Sequence, residues 1–414
     1  MHWRYRLRKQ QLLDECEVLP EVFRGGIERL TEFARPFAEC LSRREQRDHA
    51  RTYLAGLISD LKSKTAESIA YRHDQQRHGL PHFAAQVGRA IGSPDGVIVF
   101  DPSGFAKKGN ASAGVQRQWL GRLGKVDNGQ VGVFIAYASH EEHALVDVRL
   151  DLPRAWAKDR ARRKRCGIPK AVRYRTRHEL ALEMLETTGP LLPHGWVTGD
   201  DEIGRSSRFR AELRRLNEPD LLAVPSNTTI RDLDGPTPAW RGRGRRPRRA
   251  FEQVRAWSMF LAPGAWRRIE VGGGERGPQV VELVATRVVA RTDRGRIGPE
   301  ELLVVIRGLD EEGATKHDYD LSSAPPETLP GILARVAKAE HRVERCLQRG
   351  KSEAGLAESQ VRTWSGWHHQ QALSLIASWF LVQEARRGEK ADAGIDGSSG
   401  PRRAGVAAAA GVRV

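Results

Sequence analysis

The 414-residue sequence has only four cysteines, Cys16, Cys40, Cys166 and Cys346, and no two of them form a CxxC pair. They are too few and too scattered to staple a chain of this size, and they point to a reducing cytoplasm. Long apolar runs are also missing. No stretch of about 18 apolar residues occurs, and the basic start MHWRYRLRKQ has no apolar segment behind it, so neither a membrane span nor secretion is expected. The 13 histidines show no HExxH spacing, which leaves a zinc site of that kind without support. No GxxxxGK[ST] loop follows Gly104 or Gly109, so nucleotide hydrolysis is not expected. Acidic residues are in deficit, 52 against 68 Lys plus Arg, for a formal net charge of +16. A surface of that sign attracts polyanions, and phosphate neutralisation dominates non-specific nucleic-acid affinity.

What is present reads as a folded α/β chain. With 39% hydrophobic and 29% charged residues it can bury a core. The first ninety or so residues carry helical spacing, as in Leu30, Phe33, Phe37 and Leu41, and residues 1–92 are expected to form an all-α N-terminal region that binds DNA or dimerises. After the break Gly92-Ser93-Pro94-Asp95-Gly96, the run Val97-Ile98-Val99-Phe100 predicts a buried strand ending at Asp101. Strands are expected at 131–137 and 145–152, a helix at 178–188, a strand at 196–199, a helix at 206–216 and a strand at 221–224. The order β-β-β-α-β-α-β is that of an RNase H-like core, set within residues 93–386. A β-rich insertion, about 226–326, interrupts it with strands at 280–291 and 302–307, and long helices follow at 329–348 and 368–386. Residues 387–414, rich in Gly, Ala and Ser, read as a disordered tail.

Two carboxylates stand where chemistry is expected. Asp101 closes an apolar strand and is followed by Pro102-Ser103-Gly104, and Asp200 repeats the arrangement after Trp196-Val197-Thr198-Gly199. If the two strands are neighbours the carboxylates converge, and paired carboxylates in a basic protein suit two Mg²⁺ ions roughly 3.5 to 4 Å apart. Asp also favours turns after strands, which is the competing reading. Glu344, on a late basic helix, is the best-placed third carboxylate; a solvated ion-pair partner is the alternative.

These residues lie in longer motifs. The segments Val97 to Gly109, Gly114 to Trp119, Gly124 to Val131, Trp196 to Gly204, Leu222 to Thr228, Arg342-Val343-Glu344, Glu353 to Leu356 and Arg362 to His369 occur in order. Together they resemble the signature of bacterial insertion-sequence DDE transposases, most closely the insertion sequence 701 group within the wider insertion sequence 4 assemblage. The resemblance implies an RNase H-like catalytic domain with Asp101, Asp200 and Glu344 as catalytic and metal-binding triad, with Mg²⁺ or Mn²⁺, two ions, as cofactor. It also implies cleavage at transposon ends and strand transfer, with double-stranded DNA as partner and a homodimer in the synaptic complex. Asp201 is the alternative second ligand. The wider group's Tyr-x2-Arg-x3-Glu-x6-Lys pattern survives as Glu344-x6-Lys351, with Ala337 and Glu340 where Tyr and Arg would stand, so Arg342 is a substitute phosphate contact.

Further DNA contacts are expected from Lys107 and Lys108, from Lys351, and from Arg245, Arg246, Arg248 and Arg249 in the basic run 241–249; the run KDRARRKR at 158–165 is a second phosphate-tracking patch. Solvated charge is the competing reading for each. Trp119, Trp364 and Trp367 are candidates for base stacking, against ordinary core roles. A domesticated, catalytically inactive DNA-binding protein and a structure-specific nuclease of the RNase H-like superfamily are the competing functions.

Overall fold

A computed structural model describes residues 25–41, 47, 50, 51, 54, 79–140, 142–237, 239, 240, 242–244, 247–274, 277–309, 315–358 and 361–395. Helices α1 (Gly26–Glu39) and α2 (Gly79–Ile91) precede four strands, β1 (Val97–Ala106), β2 (Gln116–Leu120), β3 (Lys125–Ala138) and β4 (His143–Leu150). Helices α3 (Arg154–Lys158), α4 (Arg160–Arg165) and α5 (Arg177–Thr188) lead to β5 (Trp196–Gly199), α6 (Asp201–Gly204), α7 (Ser207–Arg215) and β6 (Asp220–Ala223). Then come β7 (Thr229–Asp232), β8 (Glu252–Gln253), α8 (Val254–Met259), β9 (Arg267–Gly274), β10 (Gly277–Arg291), β11 (Ile297–Leu309) and β12 (Thr315–Ser322). Two long helices, α9 (Pro330–Ser352) and α10 (Trp364–Ile395), end the described chain.

Among the described residues all twelve strands belong to one sheet. One half runs β4-β3-β1-β5-β6, with β3 antiparallel to β1 and with β1, β5 and β6 parallel, the order expected of an RNase H-like core. The insertion does not stand apart. Strand β12 pairs antiparallel with β6 and carries β11, β10, β7 and β8 outward from the same sheet. Strands β7, β9 and β12 were not expected from the sequence, because each is short or broken by polar residues, and pairing rather than local pattern makes them strands. The insertion keeps its own small core, in which Trp257, Trp266, Val288, Leu303 and Val305 are buried.

Three further boundaries differ from expectation. Strand β1 does not stop at Asp101 but runs through Pro102 to Ala106. It can do so because β5 ends at Gly199, opposite Phe100, so from Asp101 onward the pairing is with β3 alone and the missing N–H of Pro102 leaves no partner unserved. Helix α10 continues to Ile395, into the expected tail; residues 396–414 lie outside the described chain. The described N-terminal helices are not a separate body. Phe33 packs on Phe380 of α10 at 5.4 Å between ring centroids, Arg29 ion-pairs with Glu384, and Phe83 and Val87 of α2 join the main core.

Helices cover both faces. On one, Phe100 meets Phe209 of α7 edge-on, and Thr188 of α5 donates to the buried Asp147. On the other, α9 lies against β4, β3, β1, β5 and β6, with Val343 and Leu347 buried. Successive strand residues alternate faces, so Asp101, next to Phe100, points to the α9 side.

Candidate active site

Asp101 and Asp200 are brought together by register. Phe100 is level with Gly199 across the parallel pair, so the next residue of each chain is an aspartate on the same face, about 4.8 Å apart in backbone. The position, at the C-terminal end of the parallel β1–β5 pairing with antiparallel β3 on the other side of β1, is the usual place for a site on an open α/β sheet. Asp200 is also the N-cap of α6, where its carboxylate accepts from the Ile203 N–H at 3.0 Å. That bond holds the side chain over the strand end.

The two carboxylates are electrostatically uncomfortable. Burial, opposed by Lys351 and reinforced by Glu344 and Glu202, pushes Asp101 up to about 6. Burial and the charge of Asp101 push Asp200 to about 8. Burial and like charge both disfavour ionisation, and a cation between the groups would relieve both. Asp201, the alternative second ligand, is exposed and ion-pairs with Arg205 at 2.7 Å, one helical turn on, so it faces away from this centre.

Helix α9 supplies the rest. Glu344 is exposed and near enough to Asp101 to act on it electrostatically. Lys351 donates from Nζ to Ser103 Oγ at 2.7 Å and lies 5.3 Å from the Phe105 ring centroid. Ser103 and Phe105 are two and four residues beyond Asp101 on the same face, so Lys351 anchors the helix end beside the site. Glu340, one turn before Glu344, faces the same row: burial drives its carboxyl well above the ordinary range, followed by the charges of Asp320, Asp200, Asp101 and Asp318. The sequence marks Glu340 only as the residue standing where the wider group has arginine, and does not mark Asp320. The signals for both are the four-residue spacing to Glu344 and the alternation of Asp318 and Asp320 along β12.

Other expected contacts divide. Lys108 and Arg248 are exposed. Lys107 is buried, which pulls its ammonium down to about 8. Arg342 donates to the Ser139 carbonyl at 3.0 Å, which ties α9 to the end of β3. Arg249 ion-pairs with the buried Asp232, which Trp257 Nε1 also approaches at 3.1 Å. Arg245 and Arg246 lie outside the described residues. In the second basic run, Arg163 donates to the carbonyls of Pro169 and Val172, and Arg162 lies 4.0 Å over the Trp156 ring; Lys158, Arg160, Lys164 and Arg165 are exposed. Trp364 and Trp367 are core residues, whereas Trp119 is 60% exposed on β2.

Among the described residues no three His, Cys, Asp or Glu side chains already close on one point as an ion would require. The donor set nevertheless fits a hard divalent cation. It is all carboxylate oxygen, and Oδ2 of the buried Asp320 has no hydrogen-bond partner.

The chain is 30% identical over 206 residues to a probable transposase for insertion sequence element IS701 from Microchaete diplosiphon, a match covering 43% of this chain and 49% of that protein. It thus spans about half the length of that curated relative. A solved structure of the piggyBac transposase synaptic complex with hairpin DNA aligns over 77% of this chain and 52% of that one, at 10% identity and a TM-score of 0.36, too low to bear on the argument. The family model described as DDE superfamily endonuclease matches residues 36–278, more than half of the sequence, including Asp101 and Asp200, and the chain belongs to that family.

Proposed function

We propose that the protein is the transposase of an insertion sequence, cutting DNA at the element's ends and joining the cut ends to target DNA. The observation that carries this reading is the placement of Asp101 and Asp200 at adjacent parallel strand ends beneath a helix bearing Glu344 and Lys351. Asp101, Asp200 and Glu344 would hold Mg²⁺ or Mn²⁺, two ions. Such ions, when bound, supply Lewis-acid activation of water and neutralise charge on the scissile phosphodiester.

The chain's own residues do the rest. Asp200, fixed by its N-cap bond, and Asp101, fixed by the sheet, present oxygens at a constant separation. Lys351, held at Ser103, offers positive charge to a backbone phosphate beside them, and Lys108 extends that track. In the first step a water oxygen bonds to phosphorus as the phosphorus–O3′ bond breaks, the water proton leaving to solvent and the O3′ taking one up. In the second, the freed 3′-hydroxyl attacks a target phosphodiester and expels another 3′-oxygen. The partners are double-stranded DNA, as inverted-repeat ends and target, and a second copy of the chain in the synaptic complex. Among the described residues no helix is long and apolar enough to cross a membrane, in keeping with action on chromosomal DNA in the cytoplasm.

The test is incubation of the full chain with its flanking inverted-repeat DNA and Mg²⁺ or Mn²⁺. Cleaved and joined products are expected. Cleavage without joining would make it a nuclease, and binding without cleavage an inactive DNA-binding protein. Asp200→Asn should abolish cleavage and leave end binding intact.

A further inference from the structure

The row that pairs Asp101 with Asp200 continues across the sheet. Gly199 is level with Leu222 of β6, so Asp200 is level with Ala223, and Ala223 is paired with Asp320 of β12. Three aspartates therefore lie on one face at one level, with a single small side chain, Ala223, between the last two. Across two strand spacings the Asp200 and Asp320 backbones are about 10 Å apart, and the methyl group of Ala223 leaves the lane between them open.

Glu340 reaches into that lane from α9. It is four residues before Glu344, about 40° around the helix, so both face the sheet row, Glu344 over Asp101 and Glu340 further toward β12. The charges acting on Glu340 rank in that order of position, Asp320 before Asp200 before Asp101. The neighbouring Asp318 differs in being directly ion-paired, with Lys338 and Lys316 at 3.3 Å and His341 at 3.5 Å, whereas Lys338 acts on Asp320 only through its charge. Asp320 is 4% exposed, and its Oδ2 makes no hydrogen bond. A carboxylate oxygen that is buried and unpartnered, facing a second carboxylate, is costly without a cation or a proton.

We propose that Glu340, Asp320 and Asp200 form a divalent-cation subsite of their own, distinct from the one bounded by Asp101 and Glu344, with Asp200 shared between the two. The inference rests on the transposase reading for the first subsite and adds ligands that the Asp101, Asp200 and Glu344 triad does not include. The arrangement places negative charge where the wider transposase group has an arginine, so the subsite belongs to this chain's variant of the helix.

The experiment is calorimetric titration of the full-length protein, without DNA, by Mn²⁺, with melting temperature in EDTA and in Mn²⁺ as a second readout. Wild type should bind three ions, two at the triad and one at this subsite. Glu340→Gln and Asp320→Asn should each bind two, with affinity for the third weakened at least tenfold, and should lose part of the Mn²⁺-induced rise in melting temperature. In EDTA both should melt no lower than wild type, because each removes an unneutralised buried acid. Glu340→Ala serves if either amide variant fails to fold. Wild-type ion count and affinity in the variants at Glu340 and Asp320 would overturn the subsite. If only Asp101→Asn and Glu344→Gln reduced binding, the subsite would fall and the transposase reading would stand. A wild-type protein that bound no Mn²⁺ would remove both.

Discussion

At the scale of single residues, the site combines groups with separable tasks. Glu344→Gln should stop cleavage at every DNA concentration, because a missing carboxylate cannot be replaced by mass action. Lys351→Ala should be partly rescued at low salt, since its contribution to phosphate binding is electrostatic and screened. Strand-cleavage assays over a range of ionic strength separate the two. A different buried acid offers a prediction free of metal. Asp220, at the start of β6, is held up to about 6 by burial, against the pull of the Ser323 hydroxyl. A raised acid stabilises the fold below its unfolded value, near 4, and that contribution is lost as pH rises through 6. Asp220→Asn should therefore gain on wild type by on the order of 2 to 3 kcal/mol between pH 4 and pH 7.5, measured by urea unfolding at the two pH values. Parallel curves at both would refute the assignment.

At the scale of elements, the site depends on close backbone approach. Gly204 ends α6, the short helix capped by Asp200, and a Cβ there would be driven into the carbonyl oxygen of Ala223. Gly204→Ala must push α6 off β6 and carry Asp200 with it. We expect a loss of about 1 to 3 kcal/mol in stability, as for other overpacked sites, together with a fall in cleavage larger than the stability loss explains. The capping box of α5, in which Thr176 and Glu179 exchange bonds, provides a control on the far side of the sheet from α9. Thr176→Ala should cost about 1 kcal/mol and leave cleavage by the folded fraction unchanged.

At the scale of the molecule, the +16 charge is distributed between two uses. Some arginines are structural. Arg210 and Arg214 hold the buried Glu301, and Arg249 holds Asp232. Others are exposed and available to DNA. Arg248→Ala should reduce the slope of log affinity against log salt by roughly 0.9 if it meets one phosphate. Arg249→Ala should instead lower the melting temperature with little change in slope. Binding titrations at several salt concentrations, paired with thermal melts, distinguish the two neighbours.

Much of this protein was determined by sequence alone. The apolar run before Asp101, the strand before Asp200 and the amphipathic spacing of α9 are local patterns, and local periodicity reports burial directly. That is why the core strand order and the two aspartates could be read without coordinates. What only the tertiary structure decided depends on register between distant segments. The run through Pro102 is a strand because β3 pairs with it, and the insertion joins the main sheet because β12 pairs with β6. Arg249 is an ion-pair partner because Asp232 is buried beside it, and Trp364 and Trp367 are core because α10 packs on the sheet at β4 and β3. Glu340 and Asp320 meet across 20 residues of sequence only when a strand and a helix are laid over one another. Neither residue carries a local mark of that meeting, because the energy that gives it meaning is the repulsion between two charges which only the folded chain brings together.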